Sequence, residues 1–485
     1  FRRLDGVPAR VLAGVARHSA ALMAGSFIAG STIDEAVRTI RRMRARQMAF
    51  TIDVLGESAV SSDEAAAYHR TYTELIEALP KFAADWDPVP LVDEGDGQPL
   101  PRINVSVKLT SLYPGFDPIA PEATKARAKE LLRPLLRAAM RHGEHLHIDM
   151  EHYAIKDLTL ELCEELFAEP EFRDYPHFGL VLQAYLKEGD ADAQRVIDYA
   201  RRRGTPVWVR LVKGAYWDSE TVWAAQRRWP VPVWEQKWQS DACYERMTRA
   251  LLSNYRHVRC AFASHNVRSL CHAIACREAL EVPAWAFELQ MLYGMGDPIK
   301  HAGVEMGQRC RIYTPYGQML AGMAYLIRRL LENTANESFL RQSGDESADV
   351  AALLENPRLT GASAPPVERP VIVRYEFEEP IMQPFENVPC TDFSVAAERA
   401  RMHAALAAQR ALAGREIPLR IGGERVTTGQ WLESRNPSRP AEIVARVACA
   451  DGAALERAVA AARDAWADWR HVPVQQRSAL VRKIG

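Results

Sequence analysis

The chain has 485 residues, with 61 lysines and arginines against 62 aspartates and glutamates. That length calls for two units, or one large α/β barrel with attachments, and the charge balance advertises neither a nucleic-acid surface nor an anionic membrane partner. Its eight cysteines contain no C-x-x-C pair, so they read as reduced thiols of a cytosolic protein, and no apolar run reaches the roughly 18 to 20 residues of a transmembrane helix.

Residues 1–45 are rich in Ala and Arg and read as a helical N-terminal arm; within it "STIDEAVRTIRRMRAR" opens on Ser, Thr and Asp, the residues that cap a helix start. From residue 46 to 340 short β-rich runs alternate with amphipathic windows, the signature of βα units and a parallel sheet. The runs are 48–57, 102–110, 145–151, 178–185, 206–214, 259–266, 284–292 and 310–317, with helical windows such as "PEATKARAKELLRPLLRAAMRH" between them. Eight strands, each followed by a helix, match the count and size of a (βα)8 barrel of the TIM type; a doubly wound sheet is the alternative. Residues 341–395 become rich in Pro and Glu and read as an extended linker. Residues 396–485 start a new pattern of Gly-marked turns, short strands and a long Ala-rich helix. Phe1 is no initiator methionine, and "SALVRKIG" stops inside an amphipathic pattern, so the chain reads as a fragment of something longer.

Barrel enzymes carry their reactive groups at the C-terminal ends of the strands. Those ends supply Glu57, Lys108, Asp149 with Glu151, Gln183, Arg210 with Lys213, Ser264 with His265, Gln290 with Leu292, and Tyr313. Taken singly, each has a plain structural reading, such as a Lys108–Asp149 ion pair; their coincidence at one end of one barrel points to chemistry. "WVRLVKGAYWD", residues 208–218, adds fixed charge from Arg210 and Lys213, close backbone approach at Gly214 and Ala215, and an aromatic face at Trp217, which suits a cofactor bearing phosphate and a ring. No G-x-G-x-x-G follows a strand, so a dinucleotide fingerprint of the Rossmann kind is not expected in the barrel. "RHGEHLHIDMEH" holds His142, His145, His147 and His152. His145 and His147 share a strand face as in metal-dependent barrel hydrolases, yet no Asp closes the eighth strand, so no metal is expected and the histidines read as polar rim. In "AYLIRRLLEN", helical spacing puts Tyr325, Arg328, Arg329 and Glu332 on one face. That face meets either water or a site that needs a cationic clamp.

"VSVKLTSLYP", "HIDMEHY", "WVRLVKGAYWD", "FASHN", "ELQMLYGMG", "RIYTPYG" and "YLIRRLLEN" together resemble the proline dehydrogenase domain of bacterial proline utilization A, over roughly residues 1–345, and the tail from about 385 resembles the opening of an aldehyde dehydrogenase domain. The resemblance implies FAD-dependent oxidation of L-proline to 1-pyrroline-5-carboxylate, with electrons passed to a membrane quinone. It also implies that the longer parent oxidises glutamate semialdehyde with NAD, a step this fragment lacks the residues for. It assigns Asp149, Arg210 and Tyr313 to catalysis, and Lys108, Leu292, Tyr313, Tyr325, Arg328 and Arg329 to proline. FAD would be held by Met150, Gln183, Arg210, Val212, Lys213, Gly214, Ala215, Trp217, Ser264, His265, Asn266, Glu332 and Ser338, and Glu57 with Arg328 would form a gate over the substrate. Ser264 stands where the family often has threonine, and the hydroxyl is kept. A homo-oligomeric, cytoplasmic parent with peripheral contact at the inner face of the plasma membrane, and no nucleic-acid-binding segment in this fragment, complete the expectation.

Overall fold

The computed structural model describes residues 27–95, 97–319, 321–334, 350–358 and 387–484. It forms two compact units, Phe1–Ser394 and Val395–Gly485.

All eight β-rich runs form strands of one closed barrel: β1 (Ala49–Val54), β2 (Asn104–Val107), β3 (His145–Ile148), β4 (Phe178–Gln183), β5 (Val207–Val212), β6 (Val258–Ala263), β7 (Phe287–Leu292) and β8 (Cys310–Tyr316). Every strand pairs in parallel with its sequence neighbours, and β1 closes the ring on β8 through six residue pairs from Ala49–Arg311 to Val54–Tyr316. Closure rules out the doubly wound alternative. Helices return the chain outside the ring: α1 (Ile33–Arg44) before β1, then α2 (Ser62–Ala83), α3 (Pro121–His142), α4 (Lys156–Phe167), α5 (Gly189–Arg203), α6 (Trp217–Arg227), α7 (Lys237–Leu252), α8 (Val267–Ala279), α9 (Asp297–Glu305) and α10 (Met323–Thr334). The caps follow the sequence: Thr32 accepts the Glu35 N–H and Ser61 that of Glu64, while α3 stops at Gly143 in the left-handed region.

Two departures from a uniform barrel position the site. Gly30 bridges to Tyr316 at the end of β8, and α1 returns from there to the start of β1, burying Val37, Ile40 and Met43. It therefore covers the outside of the β8–β1 seam. The last helix is thus free for the mouth, where Tyr325, Arg328 and Arg329 of α10 meet Lys108 and Asp149 in one cavity.

The strands bury both faces, and the two faces differ in kind. Outward residues such as Ile52, Val105, Leu146, Leu180, Val209, Phe262, Leu289 and Ile312 join the helices in one continuous apolar core. Many inward positions are polar: Thr51 donates to Asn104, Arg210 to Ser106, and Arg311 pairs with Glu288. His145 and His147 belong to this interior, buried in the barrel beneath Asp149, and the expectation of a polar rim is corrected on that point. They stack, with one ring nitrogen 2.8 Å from the other, and burial lowers both well below the usual histidine value. They are a neutral pair.

The second unit has a helix Ala396–Ala411, a three-stranded sheet in which Arg439–Ala448 lies between Arg415–Ile417 and Trp431–Asn436, a small hairpin, and helices Gly452–Trp469 and Val474–Ile484. The linker expected over 341–395 lies mostly outside the described residues.

Candidate active site at the barrel mouth

The floor is an alternating set of charges. Lys108, one residue past β2, pairs with Asp53 of β1, lies 3.3 Å from Asp149 and donates to the Tyr313 hydroxyl at 3.2 Å. Tyr313 in turn donates to Asp149 Oδ2 at 2.7 Å. Arg210 spends three nitrogens on three strands: Nη1 on Asp149 Oδ1 at 2.6 Å, Nη2 on Ser106 Oγ at 2.8 Å and Nε on Gln290 Oε1 at 2.7 Å. Burial works against the charge on Asp149, yet Lys108 and Arg210 outweigh it and hold its carboxyl below the ordinary value. Lys108 is likewise raised against the effect of burial by Asp53, Tyr313 and Asp149, and burial, reinforced by the two aspartates, raises the Tyr313 phenol well above its usual range. At neutral pH the floor therefore presents a carboxylate, an ammonium, a guanidinium and a neutral phenol. Asp53 differs: burial wins over Lys108 and pushes it up to about 6.

Above this floor opens a cavity of about 250 Å³. The predicted Lys108, Asp149, Met150, Gln183, Arg210, Val212, Lys213, Gly214, Ala215, Ser264, His265, Leu292, Tyr313, Tyr325, Arg328 and Arg329 all line it. Gly214 has φ 137°, and a Cβ there would collide with the Tyr185 ring, so glycine is required for the chain to turn along this wall. Gln183 donates its amide to the Glu151 carbonyl at 3.0 Å, which leaves a buried Oε1 with no partner. His265 Nε2 accepts from the Leu292 N–H at 3.1 Å and so fixes where Leu292 enters the cavity.

At the mouth Arg328 presents Nη1 and Nη2 to the two oxygens of Glu57 at 2.7 and 3.0 Å, with its Cζ 5.0 Å above the Tyr216 ring. Burial opposes ionisation of Glu57, but the Arg328 bonds hold its carboxyl below the ordinary value. Arg329 stacks 5.0 Å over Tyr325.

Some expected residues stand apart. Trp217 opens α6, is 41% exposed, donates its indole N–H to the Trp234 carbonyl at 2.7 Å and does not line the cavity. Lys213 lines the cavity but commits its ammonium to Asp241. Asn266 caps α8 by accepting from Ser269 N–H at 3.1 Å. Glu332 lies on α10 with its side chain outside the described residues, as is all of Ser338. Sequence reasoning missed Asp53, Ser106 and Tyr216. Asp53 had a signal, two residues after Thr51 on the inward face of β1, whereas the strand was read to its polar end at Glu57. Among the described residues no three His, Cys, Asp or Glu side chains gather as a metal site.

A closed parallel barrel with its ionisable side chains gathered at the carboxyl ends of the strands has the plan of a barrel enzyme. The proline dehydrogenase family model matches residues 36–342, more than half the chain, and the chain belongs to that family. The aldehyde dehydrogenase family model matches residues 425–485, within the second unit. The chain is 29% identical over 483 residues to the bifunctional protein PutA of Klebsiella aerogenes, spanning 95% of this chain and 35% of that protein. It is 28% identical over 319 residues to proline dehydrogenase 1 of Bacillus subtilis, covering 66% of this chain and 89% of that protein. Among solved structures, proline utilization A of Bdellovibrio bacteriovorus, inactivated by N-propargylglycine, superposes with a TM-score of 0.89 at 43% identity, over 97% of this chain and 48% of that one. The chain thus spans about a third of its bifunctional relative.

Proposed function

We propose that the barrel oxidises L-proline to 1-pyrroline-5-carboxylate with FAD as cofactor. The observation that carries this reading is a cavity at the barrel mouth lined together by Lys108, Arg328, Arg329, Tyr313, Tyr325 and a buried, ionised Asp149. Its residues fit a flavin: Gln183 Oε1 is a buried acceptor without a donor, and Lys213, Gly214 and Ala215 line the cavity together with Arg210. Bound FAD supplies the hydride acceptor that no side chain of this site can provide.

Met150, Gln183, Arg210, Val212, Lys213, Gly214, Ala215, Ser264, His265 and Asn266 would hold the cofactor, with Glu332 and Ser338 after the last strand. Proline must be bound with a neutral amine, because the nitrogen lone pair drives hydride from the adjacent ring carbon, and with its carboxylate neutralised. Guanidinium groups do the latter with matched geometry and cannot lose their own charge. Glu57 takes the Nη1–Nη2 edge of Arg328, which leaves the Nε edge for the substrate carboxylate. Asp149 remains a carboxylate that accepts the amine N–H and orients the ring, while Tyr313, Tyr325 and Leu292 shape the wall against it. Closing Glu57 and Arg328 over the mouth excludes water and strengthens each contact below.

In this reading electrons leave to a membrane quinone by peripheral contact from the cytoplasm. The longer, homo-oligomeric parent uses NAD in its second domain to oxidise glutamate semialdehyde. The test is an anaerobic absorbance spectrum of purified protein with and without proline. Yellow protein that bleaches on adding proline is expected; colourless protein, or a flavin that proline leaves oxidised, would overturn the reading.

A further inference from the structure

Arg210 is held by acceptors from β2, β3 and β7, and two of them are unambiguous: Asp149 is a carboxylate and Ser106 a hydroxyl. The third is the amide of Gln290, which presents an acceptor or a donor depending on which way it faces. Arg210 Nε–H can only donate, so the bond at 2.7 Å requires the Gln290 oxygen. The Gln290 NH2 then points the other way and donates to Glu288 Oε1 at 2.6 Å. An ionised carboxylate can only accept, so the Arg210–Gln290–Glu288 relay has one chemically allowed orientation.

Glu288 is kept ionised from the far side. Arg311 Nε lies 2.8 Å from its Oε1 and Arg309 Nε 3.3 Å from its Oε2, all within the barrel interior. Burial favours the neutral acid, but the two arginines outweigh it and the carboxyl stays below its ordinary value. Glu288 does not line the cavity; Gln290 stands between it and Arg210.

We propose that Glu288 is a positioning residue: by accepting from Gln290 it locks that amide with its oxygen towards Arg210 and so fixes the plane of the guanidinium on the cavity floor. A side chain at 288 too short to place an oxygen against the Gln290 NH2 would let the amide turn. Its NH2 would then face the Arg210 N–H, donor against donor, and the guanidinium would swing away from Asp149. The consequence for turnover rests on the proposed flavin chemistry, whereas the relay itself does not.

The test uses the full chain with its bound cofactor and compares Glu288→Asp in two backgrounds, wild type and Gln290→Met. If the relay operates, Glu288→Asp lowers kcat roughly tenfold, the scale of lost outer-shell support, with the proline KM changed less than twofold and the flavin midpoint shifted to more negative potential. In the Gln290→Met background the same substitution changes none of these further. Glu288→Asp keeps the counter-charge for Arg309 and Arg311 while its shorter reach releases Gln290; Glu288→Gln, whose oxygen Arg311 Nε holds in the same place, keeps Gln290 facing as in wild type and lowers kcat less. A second readout needs no flavin: in urea unfolding, Glu288→Asp and Arg210→Lys, which do not touch, are coupled about tenfold in the unfolding constant, and Gln290→Met abolishes that coupling. Equal effects of the position-288 variants in both backgrounds, or unchanged kcat and potential in Glu288→Asp, would overturn the proposal. Failure of wild-type protein to bleach with proline would instead count against the proposed function, and the unfolding cycle would still decide the relay.

Discussion

Replacing Arg328 with methionine keeps most of the apolar stem and deletes the fork. In the free protein the fork holds Glu57 through two bonds at 2.7 and 3.0 Å, both side chains 20% exposed. An ion pair that wet stabilises the fold by only about 1 kcal/mol, so the variant folds. The substrate contact is worth more, because proline closes the mouth and the Nε edge meets a carboxylate largely shielded from water. Truncating one side of such a contact costs about 2–3 kcal/mol, at the low end of the range for desolvated charge pairs in view of the partial exposure, and that is roughly 30- to 150-fold in kcat/KM. The loss falls on KM if the contact holds proline equally before and during hydride transfer. Steady-state kinetics with varied proline, together with an anaerobic titration of flavin bleaching, measures it; flavin absorbance itself is expected unchanged. A kcat/KM within threefold of wild type would refute the carboxylate clamp. So would rescue by adding Glu57→Gln, because the damage would then come from the carboxylate left behind.

Three further outcomes are expected. Gly214→Ala forces a side chain into positive φ against the Tyr185 ring, so flavin content after dialysis falls well below one per chain; full retention would count against this wall as a cofactor cradle. Tyr313→Phe removes the hydroxyl shared by Asp149 and Lys108 and lowers kcat on the order of tenfold, and an unchanged rate would show that the hydroxyl only fills space. Glu144, 2% exposed with neither carboxyl oxygen partnered, is pushed by burial up to about 9. It is therefore neutral when folded and ionised when unfolded at pH 7, a penalty that is absent below its ordinary value of 4.5 and grows as pH rises towards 9. Glu144→Met should stabilise the protein by about 3 kcal/mol at pH 7, with the gain fading towards pH 4.5 in thermal melts; a gain that does not depend on pH would contradict the buried-acid account.

The barrel was legible because its strands bury both faces, leaving compact runs such as "FGLVLQAY" between long amphipathic helices, and eight of them allow few architectures. Most of the cavity lining was legible for a related reason: in a parallel barrel every strand delivers its last residues to the same end. What the pattern could not show was which polar side chains cross the interior. Asp53 meets Lys108 because β1 and β2 pair with Asp53 opposite Ser106, a register the runs alone do not give, and Tyr216 meets Arg328 only because the last helix is carried over the mouth. Trp217 is a different case. Its neighbours Gly214 and Ala215 do face the cavity, but the chain turns into α6 at Trp217 and takes the indole outward to Trp234. A motif fixes where a segment lies; the first turn of the next helix fixes where its side chains go.

The division between the two faces of each strand also separates what substitutions do. Val107 and Lys108 are adjacent, as are Leu146 and His147 or Val209 and Arg210, yet the first of each pair belongs to the apolar layer between barrel and helices and the second to the polar interior or mouth. Buried ions such as Asp53, Lys108, Asp149, Arg210, Glu288 and Arg311 contribute little net stability, because desolvation offsets their attraction. The outer layer, which needs no charge, therefore holds the barrel closed, and it tolerates the desolvation of the interior. That arrangement lets the interior be composed for geometry. Alternating acceptors and donors fix how Lys108, Asp149, Arg210, Gln290 and Tyr313 face, and the cavity above inherits a floor whose charges are set before any ligand arrives.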